Sequence, residues 1–324
     1  MTTSPLGTSA ASALSYTPAT RGLAPIPASE QGLPTVTAEP YFQVSPGLVA
    51  LEGPAYDRQG NLLFVDIYGG RILKLSPDLT MTTLYTDTLL RPAGIAVHKD
   101  GRIFVAAVGD FKGGSVIALD ADGSNPQVIL PTSAGYVPDD MVFDQHGGFY
   151  FTDFKGSSTE ATGGVYYVAP DFKTITPIIP HMSAANGVAI SPDGKVLWAT
   201  EFGVSRLHRV DMEDAVTVAR FGTSIPYHFV GRAPDSMRTD ADGNVYVAMY
   251  QQGRILAFSS TGIPIGQILL PGREDNHFLK STSLAFVPGT RDVVIVARDE
   301  LGDRGSMIFK AQGLTQGVTL FSHQ

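Results

Sequence analysis

The chain has 324 residues, 43% hydrophobic and 17% charged, enough apolar material for a sizeable core and too much for a disordered chain. A net charge of −8 offers no basic face to nucleic-acid phosphates or to an anionic membrane, and no apolar run approaches the roughly 18 residues of a membrane-spanning helix. Cysteine is absent, which excludes disulfides, zinc–thiolate sites, iron–sulfur clusters and thiol nucleophiles.

Residues 1–34 are rich in Ser, Thr, Ala and Pro, with Arg21 and Glu30 the only charges. Pro5, Pro18, Pro25 and Pro27 break every apolar stretch that a secretory signal would need. This composition predicts a flexible N-terminal arm lying on the surface, in a soluble cytoplasmic protein.

From Thr35 to the C-terminus one pattern returns: a short apolar strand, a polar turn with glycine, a second apolar strand, then a looser pair. In chain order the copies begin at Gly53, Gly94, Asp140, Gly187, Ser236 and Ser283, the last with one extra residue in its turn. The turn glycines Gly60, Gly101, Gly147, Gly194 and Gly243 recur every 41 to 49 residues, the length of a four-stranded propeller blade. No copy holds a convincing helical period. The 290 residues after Pro34 divide into six units of about 48. The pattern predicts an all-β fold, a single six-bladed β-propeller over residues 35–324, with a pair of β-sandwiches as the alternative. The extended segment Pro34–Val44 and the C-terminal Gly317–Gln324 are both expected to share the blade that closes the ring.

The innermost strands of a propeller run beside its axis, so equivalent positions form a ring at one height. Eight residues before each turn glycine stand Glu52, Ala93, Asp139, Asn186 and Asp235, and the longer sixth copy offers Thr282. Three carboxylates within about 4–5 Å of one another repel by several kcal/mol per pair at an effective dielectric near 20. Such a ring requires raised proton affinities or a bound cation. Its donors are all hard oxygens, which selects calcium, magnesium or manganese over zinc or copper; calcium suits a wide cage completed by water. Asp140, turned away from the ring by strand alternation, is expected to be a structural acceptor. Asp66, Asp153 and Glu201 are expected to cap turns. His228, and less so His277, could reach the mouth, with Tyr136 and Tyr227 as wall residues and Trp198 as core.

Several segments carry a likeness to a known family. They include TAEP (Thr37–Pro40), LEG (Leu51–Gly53), GDFK (Gly109–Lys112), DDMVFD (Asp139–Asp144), GGFYFTDF (Gly147–Phe154), ANG (Ala185–Gly187), PDS (Pro234–Ser236) and NVYVAMYQQGR (Asn244–Arg254). On these the chain, from about Thr35 onward, resembles the senescence-marker-protein/gluconolactonase family of calcium-dependent six-bladed propellers, most closely its bacterial drug-responsive lactonase branch. The resemblance implies a catalytic calcium held by Glu52, Asp139, Asn186, Asp235 and Ser236, with Asp235 as proton donor. It also implies a second, structural calcium between the second and third blades, near Gly109–Ser115 and Pro131–Tyr136. Both loops are about one residue shorter than the pattern, and Pro131 stands where an acidic ligand belongs.

The expected activity is calcium-dependent hydrolysis of a small-molecule lactone or ester. The metal would polarise the carbonyl and orient water, with Asp235, or Asp139 across the metal, moving the proton. The alternatives are phosphotriester hydrolysis on the same metal and a non-enzymatic binding propeller.

Overall fold

The computed structural model describes residues 12–17 and 20–324. Six antiparallel sheets, each of four consecutive short strands or their equivalent, form the blades of a propeller. The innermost strands are Leu51–Tyr56, Pro92–Val97, Pro138–Phe143, Ala185–Ile190, Pro234–Thr239 and Lys280–Phe286. Each begins an outward run of antiparallel strands joined by the glycine turns read from the sequence. Every one of these turn glycines has a positive φ, between 70° and 94°, a conformation that a Cβ disfavours. The helical segments among the described residues are single 3₁₀ turns, and none is long and apolar enough to cross a membrane.

The apolar faces of neighbouring blades meet in six clusters, one at each blade boundary. Phe104, Phe143, Phe149, Phe172 and Phe321 crowd the boundary between the second and third blades. Trp198 is fully buried at the boundary between the fourth and fifth. Because every blade packs on two neighbours, the ring has no unpaired face once closed.

Closure corrects half of the expectation. Glu39–Ser45 is the outer strand of the sixth blade, antiparallel to Ser306–Gln312, so the N-terminal segment does lock the ring. The C-terminal segment does not join that sheet. Gly317 makes one bridge to Asp240, and the chain then crosses the channel end opposite the start of the inner strands. Its apolar Phe321 is drawn into the boundary between the second and third blades, a burial that the outer edge of a blade cannot offer. Thr35–Thr37 adds a fifth, parallel strand to the fifth blade.

Of the expected arm, residues 1–11, 18 and 19 lie outside the described residues. Further along, Glu30 is 2% exposed and pairs with the equally buried Arg254 at 2.6 Å. Tyr227 donates its hydroxyl to Glu30, and Arg273 donates to the carbonyl of Ala24 at 2.5 Å.

Candidate metal centre

The first residues of the inner strands turn their side chains to one end of the channel. There Glu52, Asn186, Asp235 and Ser236 are buried, and Asp139 is half-buried with its carboxyl group enclosed. A register shift spans or directly follows the ring position in every blade, between Glu52 and Ala55, Pro92 and Gly94, Pro138 and Met141, Ala185 and Val188, Pro234 and Met237, and Ser281 and Ser283. A bulge re-aims the side chain beside it, and one stands at the ring position of every blade. The residues after the ring positions also set how closely the blades approach. A Cβ on Gly53 would lie 2.4 Å from the carbonyl of Ala93, and one on Gly187 would lie 2.6 Å from that of Asp235.

The structure brings Glu52, Asp139, Asn186, Asp235 and Ser236 into one neighbourhood. Ser236 Oγ is 3.4 Å from Glu52 Oε2, and the backbone amide of Gly53 donates to the same oxygen at 2.7 Å. Asp235 accepts the amide of Ser236 at 3.1 Å and a side-chain hydrogen bond from Asn186. Burial pushes the Glu52 carboxyl up to about 8, helped by Asp140 and opposed by the Gly53 amide and by Arg238. Asp139 is raised well above the ordinary carboxylate range by burial, then by Glu52 and Asp140. Asp235 is raised likewise by burial, then by Glu52 and Asp139. Three enclosed acids therefore suppress one another's ionisation when no cation stands among them.

Asn186 Oδ1 is buried without a hydrogen-bond partner. An orphaned amide oxygen beside three carboxylates fits a hard cation that would supply its missing partner, and the donor set holds neither sulfur nor nitrogen. The ring is open, however. Among the described residues, one set of three acidic or histidine side chains has candidate ligand atoms all within 4.8 Å of one another, and it is His277, Asp299 and Asp303 in the sixth blade. Glu52, Asp139 and Asp235 do not meet that spacing, so to ligate one ion at about 2.3–2.6 Å their side chains must draw together around it. In the sixth-blade cluster Asp299 already receives His277 at 2.9 Å and the amides of Leu301 and Arg304, so it works as a turn cap.

Hydroxyl groups, two of which the sequence reading passed over, tie the ring together. Thr152 Oγ1 accepts the amide of Asp140 and donates to the carbonyl of Asn186 in the next blade at 2.5 Å. Thr200 repeats this one blade later, accepting from Gly187 and donating to the carbonyl of Asp235 at 2.8 Å. Thr282 donates to the carbonyl of Leu51, next to Glu52, at 2.7 Å. The signal was available, because both second-strand threonines directly precede an acidic strand end, Asp153 or Glu201. Asp140 is the expected acceptor: it takes the amides of Met141 and Val188 and pairs with Arg238 at 2.8 Å.

The remaining candidates lie elsewhere. Asp66, Asp153 and Glu201 cap backbone amides, of Gly69, Val137 and Ser183 respectively. His228 is exposed at the end of the outer strand of the fourth blade, and Tyr227 is committed to Glu30. Tyr136 packs against Phe151 and Tyr166. In the loops compared with a second calcium site, Asp110 spends one oxygen on the amides of Lys112 and Gly113, and it is the one carboxylate in the cleft of about 490 Å³ beside Thr132.

Comparison with known proteins supplies independent findings. A family model described as the SMP-30/gluconolactonase/LRE-like region matches residues 51–292. A protein of Staphylococcus saprophyticus named lactonase drp35 is 50% identical over 309 residues, 94% of this chain and 95% of its own. The lactonase drp35 of a bovine Staphylococcus aureus strain is 50% identical over 302 residues, 91% of this chain and 93% of its own. Among solved structures, a calcium-binding protein of Agrobacterium tumefaciens titled regucalcin superposes with a TM-score of 0.72 at 17% identity, covering 88% of this chain and 96% of its own. That last likeness is one of fold.

Proposed function

The chain belongs to the SMP-30/gluconolactonase/LRE-like family, and from that premise we propose that it is a calcium-dependent hydrolase that opens lactone rings. The observation that carries this reading is the convergence of Glu52, Asp139, Asp235 and the unpartnered Asn186 Oδ1 at one end of the channel. The lactonase name belongs to relatives half identical over nearly the whole length, and calcium binding to a relative of the same fold.

Glu52, Asp139, Asn186, Asp235 and Ser236 would hold the ion, whose chemistry is to polarise a carbonyl oxygen and to hold a water close to it. Calcium acidifies water weakly, so a carboxylate must take the proton. Asp235 is suited to this. Its side chain is buried beside the residues that would hold the ion, and the Ser236 amide holds one of its oxygens in place. It would accept the proton of the attacking water and return it to the alkoxide released on ring opening. Asp139 would balance the ion's charge and stands as the second candidate base. Asp140 would steady the floor beneath the ring, since it is buried and takes the amides of Met141 and Val188 and one Nη1 contact from Arg238.

The test is proton release from a panel of aromatic and aliphatic lactones and one phosphotriester, in EDTA and after calcium is restored. Calcium-dependent acid release from lactones supports the proposal. Release from the phosphotriester alone moves the activity to phosphorus, and a calcium-loaded protein inert to all of them makes the channel a binding site.

A further inference from the structure

Three residues beyond each ring position, past the bulge, stand Ala55, Ala96, Val142, Ala189, Arg238 and Ala285. All six line one space, a cavity of about 670 Å³ that runs from this collar to the C-terminal segment Gly317–Gln324. It opens away from the carboxylate ring. Five small apolar residues leave room in the collar, and a single guanidinium occupies it.

Arg238 is only half satisfied. Its Nη1 donates to Asp140 Oδ2 at 2.8 Å and to the carbonyl of Met237 at 2.6 Å. Neither Nε nor Nη2 has a partner among the described residues, and the side chain is 14% exposed. Asp140 has no oxygen free to answer them, since Oδ1 takes the amide of Met141 and Oδ2 takes Val188 and Arg238. Below, apolar side chains predominate in the lining, Tyr56, Val97, Phe143, Ile190 and Phe286 among them and Phe321 at the far end, alongside the charged Asp144, Asp193, Lys195, Glu213 and Asp214. The Nε–Nη2 edge of a guanidinium matches both oxygens of a carboxylate, and the volume lies in the range of a small-molecule site.

We propose that this lower half of the channel is a second binding site, for a linear aliphatic carboxylate, with its head on the free edge of Arg238 and its hydrocarbon tail in the cavity toward Phe321. None of Glu52, Asp139, Asn186, Asp235 and Ser236 lines this cavity, and the site stands whether or not the chain opens lactones. It gives a reason for a lone cation in a collar otherwise made of alanine and valine.

Decanoate, decanol and acetate titrated into the full-length protein by calorimetry test it, with a diazirine-bearing decanoate to locate the contact. Decanoate should bind at least 30-fold more tightly than decanol, and acetate should not bind measurably. Arg238→Met should bring decanoate down to the level of decanol while leaving decanol unchanged. Crosslinks should fall within 141–146 or 317–324. Should Arg238→Met fail to fold, the headgroup and chain-length comparison on the wild-type protein and the crosslink map still decide. Absence of decanoate binding, equal binding of decanoate and decanol, or crosslinks confined to the outer surface would overturn the proposal.

Discussion

The proton affinities in the ring make the stability of the metal-free protein fall as pH rises. Glu52 carries an unfolded value of 4.5 and a folded value pushed up to about 8. Between these values the folded state binds the proton more tightly than the unfolded chain does. The resulting stabilisation is complete below the unfolded value and is lost as pH climbs through the folded one. At about 1.4 kcal/mol per tenfold change in affinity, Glu52 alone removes roughly 3 kcal/mol between pH 5.5 and 8. With an unfolding entropy of about 2.1 cal/mol/K per residue, that is about 4 °C in Tm for a chain of this size. Asp139 and Asp235 shift in the same direction and add to the effect. A bound divalent cation reverses the sign, because it favours the ionised acids. The assay is thermal unfolding at pH 5.5 and pH 8, in EDTA and in excess calcium, with Glu52→Gln alongside. The gap between calcium and EDTA should widen by at least about 4 °C at the higher pH, and Glu52→Gln should shrink that widening. A gap of equal size at both pH values would refute the electrostatic reasoning, and so would a variant that keeps the full widening.

Other outcomes follow from the same geometry. Asp235→Asn should keep the fold and the melting cooperativity yet lose nearly all turnover on any lactone that the wild type opens; an active variant, read by pH-stat, removes Asp235 as the proton-moving group. Thr200→Val deletes the hydroxyl between Gly187 and Asp235 while keeping the volume. Losing one buried hydrogen-bonding group costs about 1–3 kcal/mol, and calcium affinity by calorimetry should fall about tenfold or more, with Thr83→Val on an outer strand as the silent control. Glu30→Ala leaves the buried Arg254 unpaired, a loss of about 3–5 kcal/mol, seen as a lower denaturation midpoint without change in calcium binding.

The fold was legible because a propeller writes its period into the chain. The glycine turns and the paired apolar strands occur once per blade, and Gly60 through Gly243 mark their spacing. The ring was legible for the same reason, since equivalent residues of equivalent strands must share a height. What the sequence concealed depends on contacts between blades. Thr152 and Thr200 look like ordinary strand residues until the neighbouring blade brings Asn186 and Asp235 within reach of their hydroxyls. Gly317–Gln324 was misplaced because its apolar residues fit either a blade edge or a channel plug, and only the gap beside Phe104 and Phe143 decides for Phe321. Tyr227 looked like a wall of the mouth, yet it is held by Glu30 from a segment whose composition gave no hint of a buried acid. The collar of alanines around Arg238 could have been counted from the same register as the ring, three residues further along.

The most direct measurement is continuous proton release from one aromatic and one aliphatic lactone, first in EDTA and then on addition of excess calcium to the same sample. Acid release that is absent in EDTA and returns with calcium is the predicted result. Equal rates before and after calcium, on protein shown to be stripped of metal, would contradict a calcium-dependent lactonase.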